Sequence, residues 1–372
     1  MAPTQDTLYS DLDLELSWSE RDLPERQRTK HVHRLHPYLG KFIPQLVEVL
    51  LGRYFKPGQH VLDPFAGSGT ALVQALESGL NATGVDIAAF NCLLMDVKTR
   101  RYNPFVLERE LRDAHSRIGA LQQSVTRPAG YLRRWYAPQA ARDLLAFREI
   151  VDDYEHADVL RIVLARAGRS ARRTTHFDLD FPREPQLEPY WCHKHKRTCR
   201  PVETASQFLR RYTLDTMERL KEFARLRERR ADAGVIHGDA RNERYGSRFD
   251  GILTSPPYPG LIDYHEQHRY AYELLGLDDR RELELGAAAF GTSKAALAAY
   301  CDGVASVFAN AARALRRGGP VVIVVNDRRD LYPQILDTAG LRLESRLRRH
   351  VNRRTGRRAG EFFEDVLVAR VR

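Results

Sequence analysis

Asp63-Pro64-Phe65-Ala66-Gly67-Ser68-Gly69-Thr70 is the stretch on which the reading of this chain turns. It follows a short apolar run, His60-Val61-Leu62, and precedes Ala71 to Ser78, a helical run ended by Gly79. Strand, glycine turn and helix are thus written in order. Gly67 and Gly69 allow a tight backbone and the close approach of a ligand. The helix start behind them offers unpaired N–H groups and the positive end of a dipole. A second strand, Ala82-Thr83-Gly84-Val85-Asp86, ends on an acid that can accept both ribose hydroxyls of an adenosine ligand. No Gly-Lys-Ser/Thr follows the turn, so it is not a P-loop, and Asp63 would repel a phosphate. The pattern fits a positively charged nucleoside without phosphates.

Outward from this βαβ unit, His36 to Pro44 reads as a rigid loop leading into a helix from Gln45 to Arg53, and residues 1–30 as a polar arm. From residue 100 to about 232 the strand pattern stops. That region is mostly helical and Arg-rich, with a loop-like centre from Thr174 to Val202. Strand signals resume at Gly234 to His237 and at Phe249 to Thr254. A long helix from Lys294 precedes the strand Pro320 to Val325, and an antiparallel hairpin, Leu341 to Val351 and Glu361 to Val371, ends the chain. Three regions follow: an arm and first half-core over 1–100, an insertion over 101–232 and a second half-core over 233–372.

Composition narrows the function. The 372 residues hold 59 Lys+Arg against 49 Asp+Glu, a net charge of +10, and only eight of the 59 are Lys. Arginine suits phosphates and guanine edges, although a GC-rich genome raises its count as well. No uninterrupted apolar run approaches the ~18 residues of a membrane span. The acidic start predicts no signal peptide. Four cysteines make no disulfide framework, and a reducing cytoplasm is the expected compartment.

The second specific signal is Ser255-Pro256-Pro257-Tyr258, at the end of the predicted strand Phe249 to Thr254. Two prolines fix φ and remove both N–H groups. A stiff turn of carbonyls, a hydroxyl and an aromatic ring remains. It suits the exocyclic amine of a nucleobase, whose lone pair is delocalised into the ring. Ser255 Oγ and the Pro256 carbonyl accept its hydrogens, and Tyr258 stacks on a base held out of the duplex.

Here the chain resembles the DNA amino-methyltransferases, which form N4-methylcytosine or N6-methyladenine. The resemblance covers roughly residues 31–100 and 233–372. It implies an α/β, Rossmann-like methyltransferase fold: a mixed, mostly parallel seven-stranded sheet, here with a largely helical insertion. It implies S-adenosylmethionine as cofactor and direct, in-line methyl transfer. Asp63, Pro64, Phe65, Ala66, Gly67, Ser68, Gly69 and Thr70 match the methionine-side turn, and Asp86 the ribose acid. Asp239 and Ala240 match the turn near the adenine, Lys41 and Phe42 an N-terminal cofactor motif, and Ser255, Pro256, Pro257 and Tyr258 the catalytic turn. Serine at the first catalytic position is commoner in cytosine-N4 enzymes. That favours a site-specific cytosine-N4 methyltransferase, with double-stranded DNA as substrate and a cognate restriction endonuclease as a candidate partner. Adenine-N6 methylation is the nearest alternative. An RNA guanine-N2 methyltransferase and a non-catalytic, cofactor-sensing DNA-binding protein lie further off. No Pro-Cys dipeptide is present, which argues against cytosine-C5 chemistry. The insertion, between Asp86 and Asp239, departs from where the family usually places target recognition.

Basic clusters supply candidate DNA contacts: Arg169, Arg172 and Arg173 in the insertion, and Arg353, Arg354, Arg357 and Arg358 in the terminal hairpin. Cys192-x2-His195-x3-Cys199 fits three ligands of a structural zinc, with His176 a candidate fourth.

Overall fold

The computed structural model describes residues 16–18, 23, 29–40, 43–121, 126–246, 248–351 and 362–372. In chain order its main elements are α1 (Pro44–Tyr54), β1 (His60–Asp63), α2 (Thr70–Glu77), β2 (Asn81–Asp86), α3 (Ala89–Thr99), α4 (Pro104–Arg117), α5 (Gly130–Trp135), α6 (Pro138–Ile150), α7 (Ala157–Ala171), β3 (Tyr190–Cys192) and β4 (Arg197–Cys199). There follow α8 (Ser206–Leu226), β5 (Ala233–His237), β6 (Gly251–Thr254), α9 (Tyr264–Gln267), α10 (Arg269–Leu275), α11 (Lys294–Arg313), β7 (Pro320–Val325), α12 (Tyr332–Thr338), β8 (Leu341–Val351) and β9 (Phe362–Val371).

Two units divide the chain. The first holds residues 1–99, 226–263 and 282–372; the second holds 100–225 and 264–281. In the first, seven strands form one sheet in the order β5-β2-β1-β6-β7-β9-β8. All its pairs are parallel except those of β9, which runs against β7 and β8. This is the Rossmann-like, mostly parallel sheet with a terminal hairpin that the sequence predicts.

Period-two alternation gives the sheet two buried faces. Leu62, Ile252, Val321, Ile323 and Val325 face one core with Val304, Phe308 and Ala311 of α11 and Ile335 of α12. Val61, Leu253, Val322 and Val324 face the other, with Leu46 and Leu50 of α1 and Leu72 of α2. By length and composition α11 could cross a membrane, but Tyr300, Val304, Val307, Phe308 and Ala311 along it are buried in this core.

The second unit is helical, as expected, but its borders differ from the sequence reading. It ends at Arg225, and it also takes in Tyr264–Arg281, directly after the loop that follows Tyr258. The reason is packing. α10 lies so close to α7 that a Cβ on Gly168 would sit 2.3 Å from Leu274 Cδ1. The Tyr136 hydroxyl donates to the Gly168 carbonyl at 3.0 Å. The expected loop from 174 to 202 contains a short antiparallel ribbon, β3 against β4.

Candidate active site

Where strand order reverses in an open α/β sheet, the loops at the carboxyl ends diverge and leave a crevice. Here that point lies between β1 and β6, which pair in parallel. Asp63 is the last residue of β1, and Ser255 follows the last residue of β6. The two turns singled out in the sequence are therefore neighbours. One hydrogen bond joins them: the Thr254 hydroxyl donates to Asp63 Oδ1 at 2.6 Å.

Asp63 is only 2% exposed. Burial pushes its carboxyl up to about 7, against the downward pull of the bonds from Thr254 and the Phe65 N–H. Its Oδ2 is buried with no partner among the described residues, as are Ser68 Oγ and Thr70 Oγ1. Orphaned buried polar atoms are costly, and three at one turn call for a ligand. A carboxylate whose charged form is held back by desolvation and by the neighbouring Asp86 charge gains most from a cation.

The turn is braced from behind. Gly67 adopts φ 50° and Gly69 φ 76°, both left-handed. The Gly67 N–H donates to Asp86 Oδ2 at 2.8 Å, and the Ala66 N–H to the Val85 carbonyl at 3.1 Å. The Ala88 N–H and Asn91 Nδ2 donate to Asp86 Oδ1 at 2.8 and 3.1 Å, which fixes the carboxylate. Buried Lys98 donates to the Ser68 carbonyl at 2.5 Å. Pro64 is buried, and the Phe65 ring meets Phe308 edge-on at 6.0 Å. A Cβ on Gly67 would stand 2.9 Å from the Tyr38 hydroxyl, so Tyr38 covers the turn. The expected contacts from that loop, Lys41 and Phe42, lie outside the described residues; Tyr38 was not singled out.

Asp239 and Ala240 follow β5, beside Asp86, and the Gly238 N–H donates to the Asp86 carbonyl at 3.0 Å. Asp239 is clamped by Arg241, 2.7 Å away. Partial burial pushes its carboxyl up, and the bonds from Arg241 outweigh this and hold it below its ordinary value. Ala240 is buried, its carbonyl bonded by Asn310 Nδ2 at 3.0 Å. Asp239, Asn242, Leu283, Ser306 and Ala309 line a cavity there.

Tertiary contacts stiffen the Ser255–Tyr258 turn beyond what its prolines do. The Tyr300 hydroxyl donates to the Pro257 carbonyl at 2.9 Å and lies 3.0 Å from the hydroxyl of buried Tyr332. The Tyr258 hydroxyl donates to Glu364 Oε1 at 3.2 Å, and Arg349 holds Glu364 Oε2 at 2.7 Å. Tyr300, Tyr332, Arg349 and Glu364 escape sequence reading because the closest of them is more than forty residues from the turn.

The arginine set needs correction. Arg172 is 2% exposed, lies 4.5 Å from the centroid of the Tyr270 ring and donates to the Leu179 carbonyl at 2.5 Å. Arg169 is ion-paired with Asp180. Arg173 is half-buried, its N–H bonded to the Trp135 carbonyl at 2.7 Å. Arg169 and Arg172 are thus tied up inside the second unit, and a desolvated guanidinium already spent on internal partners is not a free phosphate contact. Arg353, Arg354, Arg357 and Arg358 lie outside the described residues. Cys192, His195 and Cys199 do come together, with His176.

The N6/N4 DNA methylase family matches residues 7–95. A type II methyltransferase of Methanocaldococcus jannaschii, M.MjaII, is 35% identical over 92% of this chain and 81% of its own length. M.MvaI of Kocuria varians, also a type II methyltransferase, is 23% identical over 61% of this chain and 53% of its own. Among solved structures, TrmN of Thermus thermophilus aligns with a TM-score of 0.34 at 13% identity, over 90% of this chain and 50% of that one. M.MjaII is similar over nearly the whole of this chain, and the chain belongs to the N6/N4 family of DNA methylases.

Proposed function

We propose that this enzyme transfers a methyl group to the N4 amine of cytosine in double-stranded DNA, at a site recognised by its second unit. S-adenosylmethionine is its methyl donor, and the residues present fit it: a buried, cation-seeking Asp63 with orphaned Ser68 and Thr70 hydroxyls on the methionine side, and Asp86 and Asp239 along the nucleoside side. When bound, it supplies an electrophilic methyl on a sulfonium.

The chain's own residues then have distinct tasks. Asp63 complements the positive charge of the donor. Ser255 Oγ and the Pro256 carbonyl accept hydrogens of the base's amine and draw its lone pair out of ring conjugation. That effect is worth most in the transition state, where nitrogen becomes tetrahedral. The Tyr258 ring, tethered through its hydroxyl to Glu364, provides a stacking face for a base out of the duplex. The Thr254–Asp63 bond carries the reading, because it ties the donor turn to the acceptor turn.

Two finer points are part of the proposal. Ser255 favours cytosine N4 over adenine N6, and the type II naming of M.MjaII favours a partnership with a restriction endonuclease. With Arg169 and Arg172 engaged internally, the exposed Lys194, Lys196, Arg197 and Arg200 are the better basic contacts of the second unit. The test is radiolabel transfer to DNA, followed by mass spectrometry of the nucleosides. N4-methylcytosine is expected. N6-methyladenine alone would refute the base assignment, and absence of transfer to any DNA would refute the activity.

A further inference from the structure

Residues 174–200 follow a defined path with almost no core. Only Thr174, Cys192 and Cys199 among them are buried, whereas Phe177, Leu187 and Trp191 are 67%, 60% and 57% exposed. A ribbon of two three-residue strands is not stable alone in water. Segments this poor in buried apolar surface are usually held by a disulfide or a metal. The two buried side chains of the ribbon are both free cysteines, and two imidazoles face them.

One ligand atom from each of His176, Cys192, His195 and Cys199 lies within 4.8 Å of all the others. Cys192 Sγ is 3.3 Å from His176 Nδ1 and 3.6 Å from His195 Nδ1, and His195 Nδ1 is 3.4 Å from Cys199 Sγ. Tetrahedral zinc, with bonds of ~2.3 Å to sulfur and ~2.05 Å to nitrogen, spaces such atoms about 3.5 Å apart. The backbone is bent to suit. The His195 and Lys196 N–H groups both donate to the Cys192 carbonyl, at 3.2 and 2.8 Å. Lys196 takes φ 53°, a left-handed conformation rare for a side chain of its kind. The Tyr190 hydroxyl accepts the His176 N–H at 3.2 Å and anchors the most distant ligand.

We propose that His176, Cys192, His195 and Cys199 bind one structural zinc ion. Both thiols lose their protons to solvent, both imidazoles bind neutral, and the two thiolates balance the charge of the ion. Four protein ligands close the coordination sphere, so the ion holds the segment and does not take part in methyl transfer.

The test uses the full-length chain, purified without chelator or affinity tag. Elemental mass spectrometry is expected to find about one zinc per chain. Replacement with cobalt(II) gives thiolate charge-transfer bands and the intense visible bands of a tetrahedral ion. His176→Ala and Cys199→Ser lose most of the metal, whereas His193→Ala, a neighbour outside the cluster, keeps it. Stripping the metal speeds tryptic cleavage at Lys194, Lys196 and Arg197 severalfold and leaves S-adenosylmethionine affinity unchanged. The cobalt spectrum of the unaltered protein needs no variant to fold. Zinc far below one equivalent with a featureless cobalt spectrum, or a Cys192–Cys199 disulfide in the non-reduced protein, overturns the proposal.

Discussion

Thr254→Val removes one hydrogen bond, with little change of shape, between the end of β6 and Asp63, the acid proposed to answer the cofactor. Asp63 Oδ1 loses its 2.6 Å donor and keeps the Phe65 N–H. A hydrogen bond to a charged group contributes about 1.5–3 kcal/mol, which at 1.36 kcal/mol per unit raises the carboxyl by roughly 1–2 pH units. Unaltered Asp63, pushed up to about 7 by burial, is about half ionised at neutral pH. In the variant only about 1–10% is ionised, so affinity for S-adenosylmethionine at pH 7 falls roughly 5- to 50-fold. The sign follows from the direction of the shift. Donor affinity rises with pH as Asp63 ionises through about 7, then falls as the donor's own amine deprotonates above about 8. Thr254→Val moves the acidic limb upward and leaves the alkaline limb in place; Asp63→Asn abolishes the acidic limb. Without donor the linkage runs the other way. The folded state holds a proton on Asp63 that the unfolded chain releases near 3.8, so this stabilisation is full below about pH 4 and is lost as pH rises through about 7. Calorimetric titration from pH 5.5 to 9 measures the affinities. An unshifted acidic limb in Thr254→Val, with the fold intact, would show that Asp63 is not the acid that meets the cofactor.

Tyr258→Ala loses roughly 1–3 kcal/mol of stacking and slows single-turnover methylation about ten- to a hundredfold, whereas Tyr258→Phe, which keeps the ring and loses the bond to Glu364, slows it a few-fold. Equal rates for both would place the base elsewhere. Gly67→Ala forces a side chain into φ 50° and against Tyr38, which strains the folded turn by about 1–2 kcal/mol; the melting temperature falls by a few degrees, and donor affinity falls as the turn shifts to relieve the clash. A normal titration would mean that the turn tolerates a Cβ. Arg172→Ala abandons the Tyr270 face and the Leu179 carbonyl and destabilises the protein by about 1–3 kcal/mol, without altering the salt dependence of DNA binding. Lys196→Ala with Arg197→Ala does the reverse: thermal unfolding stays put and the salt slope flattens by about two. Thermal melts and binding isotherms at several salt concentrations separate the two.

Local chemistry made the core of this protein readable. The glycine turn, Asp86 and the Ser255–Tyr258 turn each draw their meaning from a few consecutive residues, because a glycine at positive φ or a pair of prolines constrains the backbone wherever it occurs. The buried strands were legible as well: Val321 to Val325 is apolar throughout because both faces of a parallel strand are covered. Spacing alone named Cys192, His195 and Cys199 as candidate ligands, since a Cys-x2-His-x3-Cys knuckle is local. It could only nominate His176, sixteen residues away from Cys192 on an otherwise featureless loop.

Other matters depended on distance. The sequence counts Arg169 and Arg172 as charges, but only packing decides whether a guanidinium meets solvent or is spent on Asp180, Tyr270 and a carbonyl. The supports of the Ser255–Tyr258 turn, Tyr300, Tyr332, Arg349 and Glu364, come from later helices and the terminal hairpin, and no pattern around Ser255 announces them. The sequence by itself determined which backbone segments are special and which chemistry they suggest, because steric and electronic limits act within a few bonds. Only the tertiary structure decided that Thr254 bonds Asp63, that Glu364 anchors Tyr258 and that His176 completes the cysteine ribbon, because hydrogen bonding and burial depend on which segments the fold brings together.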